Sequence, residues 1–130
     1  MATLYRTAHL PVSPATAWKR IADVGKVHEI LPAIVACSLD GDRRSCTFAD
    51  GGVLHERMIS IDDGLMRLAY AITESPFALE FHSAAMQVVA DGAGSRILWT
   101  TDVKPDAAEA GLAPVFDQFF AQLTERLGAP

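Results

Sequence analysis

Short clusters of Asp, Gly, Ser and Pro recur along the middle of the chain and separate segments rich in strand formers, and this punctuation limits the fold more than any other feature. Residues 34–39 run into Asp40-Gly41-Asp42, and 44–49 into Asp50-Gly51-Gly52. Residues 53–61 run into Asp62-Asp63-Gly64, and 65–73 into Glu74-Ser75-Pro76. Residues 79–90 run into Asp91-Gly92-Ala93-Gly94, and 95–103 stop before Pro105. Asp-Gly between β-rich segments is the strongest short-range hairpin signal. Hairpins in succession make a meander, so the sheet is expected to be antiparallel throughout.

The two ends read differently. Residues 3–12 suit a first strand. Ser13-Pro14 then marks a helix start, with Ser as cap and Pro in the first turn. Trp18, Ile21 and Ala22 follow at helical spacing, and Gly25 breaks the helix. A second short helix over 26–31 ends before Pro32. At the other end, 107–127 is helical, with Leu112, Phe116, Phe119, Leu123 and Leu127 recurring every third or fourth residue. Pro114 either kinks that helix or begins its main part after a turn ending near Gly111. The order is β-α-α-β6-α, an α+β arrangement in one domain covering 1–130. Such a sheet must bury one face, and the C-terminal helix is the large apolar element left to cover it. Seven strands bent round one helix leave a gap at the wide end, and that gap is the expected site.

Composition narrows the function. Half of the 130 residues are hydrophobic and 21% are charged, as in a folded globular domain. The net charge of −5 argues against nucleic acid or an anionic membrane as partner, since both need a basic face. No apolar run approaches the roughly 20 residues of a membrane span. Residues 1–12 lack the apolar core of a secretion signal, so a cytoplasmic location is expected. Cys37 and Cys46 are then expected as free thiols. The alternative is a redox pair, because a turn at 40–43 would set them opposite each other. His9, His28, His55 and His82 form no metal-binding spacing and are expected at the surface or rim. Gly51-Gly52 and Gly92-x-Gly94 read as hairpin turns rather than phosphate loops, and no cofactor is expected.

Strand alternation picks out candidate site residues. A loop over 50–52 would pair Ala49 with Val53, so that Phe48 faces Leu54, Cys46 faces Glu56 and Arg44 faces Met58. These six then share the cavity side, with Arg44 and Glu56 diagonal neighbours. A two-residue turn would put the two on opposite faces. Tyr70 and Ile72 alternate with outward Ala69 and Ala71. Phe81 and Ser83 are expected inward, with Glu80 and His82 outward. Val115, Phe119 and Leu123 come from the helix.

Several phrases carry a resemblance: Gly41-x-x-Arg44, Glu56-Arg57-Met58-x-x-x-Asp62-Asp63, Arg67-x-x-Tyr70 and Trp99-Thr100-Thr101-Asp102-Val103-x-Pro105. With the element order, they resemble the Bet v 1/START-like superfamily over nearly the whole chain. That group includes Bet v 1 allergens, polyketide cyclase/dehydrase-like proteins, plant abscisic acid receptors and lachrymatory-factor synthase. The resemblance implies a helix-grip fold, a seven-stranded sheet wrapped round the C-terminal helix. In the plant relatives the Glu corresponding to Glu56 faces the pocket, and Met58 stands here where they have Leu. In the synthase, an Arg and a Glu that correspond to Arg44 and Glu56 are implicated in catalysis.

The expectation is therefore a binder of a small hydrophobic molecule, cyclic or aromatic, held by Arg44, Glu56, Tyr70, Phe81, Ser83, Val115, Phe119 and Leu123. The rival is a cyclase or dehydratase with Glu56 as acid/base and Arg44 stabilising charge. A third reading is an interaction or stress module with a vestigial cavity. A homodimer is compatible with each.

Overall fold

The computed structural model describes residues 1–130. Strand β1 (Ala2–Leu10) leads into helix α1 (Pro14–Ala22) and a 3₁₀ segment (Val24–Glu29). Strands β2 (Ile34–Asp40), β3 (Arg43–Phe48), β4 (Val53–Asp62), β5 (Arg67–Glu74), β6 (Phe81–Asp91) and β7 (Gly94–Lys104) follow, and helix α2 (Ala108–Leu127) ends the chain. All seven strands form one antiparallel sheet in the order β1-β7-β6-β5-β4-β3-β2. This is the expected helix-grip architecture. The first strand pairs with the last, Ala2 opposite Val103, and α1 with the 3₁₀ segment carries the chain from one sheet edge to the other.

Local chemistry explains α1. Ser13 Oγ accepts from Thr16 N–H at 3.2 Å, and Pro14 supplies a preset φ at the first turn. Ala17, Trp18 and Ile21 turn inward, and Trp18 Nε1–H reaches Asp63 Oδ1 at 2.9 Å, tying the helix to the β4–β5 turn. The next segment begins at Val24 rather than Lys26 and includes Gly25, so the glycine lies within a tight 3₁₀ turn instead of ending a helix.

The β3–β4 hairpin corrects the expected register. Its loop is Ala49-Asp50-Gly51, not 50–52: Phe48 N–H donates to the Gly52 carbonyl at 2.8 Å, and Gly51 N–H to the Phe48 carbonyl at 3.0 Å. Gly51 takes φ +89°, the left-handed position that this loop demands and glycine adopts without strain. Arg44 therefore stands directly opposite Glu56, and Cys46 opposite Leu54. The expected pairing was off by two residues, and a shift of two preserves the face.

On β6 the expected phase is inverted. Ala84, Met86 and Val88 are buried, Phe81 is 45% exposed, and His82 is 7% exposed. Helix α2 runs unbroken through Pro114, which settles the choice between a kinked helix and two pieces in favour of one. Its Phe116, Leu123 and Leu127 are buried, and the Phe116 ring lies 4.4 Å from that of Trp99 on β7.

Candidate functional site

Between the inner sheet face and α2 lies a hollow lined by 20 residues, 16 of them hydrophobic. Leu54, Leu68, Ile72, Met86 and Trp99 come from the sheet, and Leu112, Val115, Phe116 and Phe119 from α2. Ile21, Val27, Ile30, Leu31 and Ile34 close one side, and Phe77 reaches in from the β5–β6 connection. About 80 Å³ is open to the centre of a water-sized sphere, against the roughly 10–15 Å³ that one water needs. Arg44, Glu56, His82 and Thr101 are the polar side chains in this wall, and Tyr70, counted among the hydrophobic ones, adds a hydroxyl.

Of the residues singled out from the sequence, Arg44, Glu56, Tyr70, Val115 and Phe119 line the hollow. Leu123 is fully buried in the core but outside the wall. Phe81 and Ser83 do not line it. Phe81 borders a separate groove near the strand ends, and Ser83 another beside Thr100 and Asp102. His82, expected outward, occupies the inner position between them. Gln87 between Met86 and Val88 is the sequence signal that sets this phase, because it forces the even-numbered positions inward.

The β3–β4 register brings Arg44 and Glu56 together. Arg44 Nε donates to Glu56 Oε1 at 2.8 Å, both side chains being about 5% exposed or less. Arg44 Nη1 donates to the Val24 carbonyl at 3.2 Å, and the guanidinium lies 5.5 Å from the Tyr70 ring centre. Burial pushes the Arg44 pKa down, but the charge and hydrogen bond of Glu56 more than offset it, so the guanidinium is held above its ordinary value. Cys46 Sγ approaches Glu56 Oε1 at 3.8 Å, and burial, reinforced by that carboxylate, pushes its thiol far up. Tyr70 accepts from Trp99 Nε1–H at 3.0 Å, and burial with the Glu56 charge pushes its hydroxyl up. Both groups therefore keep their protons near neutrality.

The pair is only partly satisfied from within. Glu56 Oε2 and Arg44 Nη2 have no protein partner. Neither is among the sealed unpartnered polar atoms, which are His28 Nδ1, Ser95 Oγ and Thr101 Oγ1. The two free atoms therefore keep open surface in a region where their residues line the hollow. A carboxylate oxygen and a guanidinium nitrogen held there can accept from and donate to one polar group. No trio of His, Cys, Asp or Glu side chains converges as a metal site. Cys37 and Cys46 sit opposite each other as free thiols, sulfur to sulfur 3.8 Å.

No helix is long and apolar enough to cross a membrane. No match exists among curated proteins. Solved structures do match. The protein XoxI from Bacillus cereus is 21% identical with a TM-score of 0.90, over 98% of this chain and 94% of that one. A solution structure from Thermobifida fusca is 28% identical with a TM-score of 0.83, over 98% and 94%. Norcoclaurine synthase from Thalictrum flavum is 18% identical with a TM-score of 0.76, over 98% and 84%. A family model described as polyketide cyclase / dehydrase and lipid transport matches residues 1–129. On that match the chain belongs to the polyketide cyclase / dehydrase and lipid transport family, within the Bet v 1/START-like superfamily.

Proposed function

We propose that this protein binds a small, uncharged, ring-bearing molecule in the hollow between the sheet and α2, with Arg44 and Glu56 meeting its polar end. One observation carries the reading. An almost wholly apolar wall contains a buried ion pair with one oxygen and one nitrogen left free. Desolvating two charges costs several kcal/mol each, and a pair kept only for stability is usually no better than an apolar substitute. The aromatic content of the wall, Phe77, Trp99, Phe116 and Phe119 beside Tyr70, suits a flat ring.

A second reading, a cyclase or dehydratase, is favoured by the free Glu56 Oε2. Beside a bound ring it would take a proton from a carbon or hydroxyl, while Arg44 steadied negative charge developing on a neighbouring oxygen. The family description covers both transport and cyclase or dehydrase activity.

Native mass spectrometry of the purified protein tests the first reading, with a co-purified small molecule as the expected result. Titration with apolar fluorescent probes follows, using wild type, Phe119→Trp and Glu56→Gln. Phe119→Trp is expected to weaken all probes by filling the hollow. Glu56→Gln should change the ranking among polar headgroups only. A wild type that binds no probe would remove binder and enzyme together and leave the interaction module.

A further inference from the structure

We infer that His82 is a ligand-contacting residue that selects an uncharged hydrogen-bond acceptor, such as a ketone oxygen, on the bound molecule. The inference rests on the binding reading above and adds a specificity-determining residue to it.

The strand ladder fixes the ring. Backbone pairing between β5 and β6 runs from Arg67 opposite Gln87 to Tyr70 opposite Ala84 and stops there. The next inner residue, Ile72, gives its backbone N–H to His82 Nδ1 at 3.0 Å. The imidazole thus stands where a strand carbonyl would be, and its orientation is set by the backbone. An imidazole that accepts at Nδ1 carries its proton on Nε2. That Nε2–H makes no hydrogen bond within the protein, and it is not among the sealed unpartnered atoms. A donor on a residue 7% exposed, in the wall of an apolar hollow, needs an acceptor from outside the chain.

Position supports the same reading. Arg44 pairs with Glu56, Glu56 with Ile72, and Ile72 N–H meets His82, so the three polar residues lie on one row across the sheet. Ile72, Phe77 and His82 also border an outer groove, which puts the His82 end of this row at the rim and leaves Arg44 and Glu56 at its buried end. A ligand with its polar end on that row would lay its ring deeper, against Trp99 and Phe116.

Charge decides what the polar end is. Arg44 and Glu56 cancel, Tyr70 keeps its proton, and burial holds His82 neutral near pH 7. The wall therefore has no net charge to compensate an ion. A carboxylate or ammonium would be desolvated without a counter-charge, whereas a ketone loses little and gains the Nε2–H.

Four probes with one ring test this: ethylbenzene, acetophenone, benzoate and benzylammonium, titrated while amide and histidine side-chain nitrogen spectra are recorded. Acetophenone is expected to bind about five- to tenfold tighter than ethylbenzene, the worth of one neutral hydrogen bond. Both charged probes should bind at least about tenfold more weakly than acetophenone. The His82 Nε2 resonance should move with acetophenone and stay still with ethylbenzene, a response that a purely structural histidine would not give. His82→Asn keeps an acceptor for Ile72 N–H and removes the distal donor. It should erase the advantage of acetophenone over ethylbenzene. If that variant does not fold, the wild-type Nε2 response decides. Equal affinity for acetophenone and ethylbenzene, or a silent Nε2, overturns the assignment of His82 and leaves binding itself intact. Failure of all four probes overturns the binding reading and this one with it.

Discussion

Replacing Glu56 with Leu leaves Arg44 as a buried cation with only the Val24 carbonyl and the face of Tyr70 for company. Replacing Arg44 with Met leaves the Glu56 carboxylate beside nothing better than the Cys46 thiol at 3.8 Å. Breaking a buried pair in this way costs roughly 3–5 kcal/mol, because the surviving charge is uncompensated. A domain of this size has a total stability of about 5–15 kcal/mol, so either change removes a third or more of it in the typical case. Changing both residues together, Arg44→Met with Glu56→Leu, removes both charges and supplies apolar groups of similar length. The double variant is expected within about 2 kcal/mol of wild type, and on the stable side if the side chains pack well. Urea unfolding of the four proteins at pH 7 measures this, with the denaturant slope checked for constancy. Single variants less than about 1 kcal/mol below wild type would refute the reasoning, because the pair would then be effectively solvated. A double variant as unstable as the sum of the singles would refute it too, because the two residues would then be acting separately.

Burial lowers the His82 pKa from 6.5 to about 4. The unfolded chain therefore takes up the proton first as pH falls. The stabilisation is whole above about pH 6.5 and drains away towards pH 4, about 3 kcal/mol in all; His82→Asn should flatten that slope in urea midpoints taken between pH 7 and 4.5, and an unchanged slope would contradict it. Unfolded, unreduced protein should titrate with two free thiols, and in the native state Cys37 should react ahead of buried Cys46, whose raised pKa starves it of thiolate; finding no free thiol would overturn this. Ser13→Ala removes the cap of α1 and should lower stability by about 1 kcal/mol in the same urea assay, with no loss counting against the cap.

The fold was legible because its signals are local. Asp-Gly turns, the Ser13-Pro14 cap and the apolar spacing of α2 each act over a few residues. Arg44 and Glu56 were brought to one face correctly despite a misplaced loop, because a two-residue error leaves strand parity intact. The same parity is unforgiving on β6. There the alternation is started with Phe81 and Ser83 inward, while the real phase is carried by Met86, Gln87 and Val88 further along. His82 was lost with that phase. Its bond to Ile72 N–H exists because the ladder stops after Tyr70 opposite Ala84, and the point where a ladder stops is a tertiary outcome with no short-range code.

The pairing of the first strand with the last also bears on how the molecule is made. The β2–β7 meander can zip up in the order of synthesis, each hairpin beside the one before it. The opening strand cannot join, because Leu10 waits for Ser95 and Ala2 for Val103. During translation the N-terminal segment is thus an unpaired, strand-prone tail on a growing chain, and the inner sheet face stays uncovered until α2 follows. Contacts so far apart in sequence slow folding through the entropy of closing the long loop. Until β7 and α2 have followed, the emerging polypeptide carries an unpaired strand and an uncovered apolar sheet face, the surfaces through which chains aggregate.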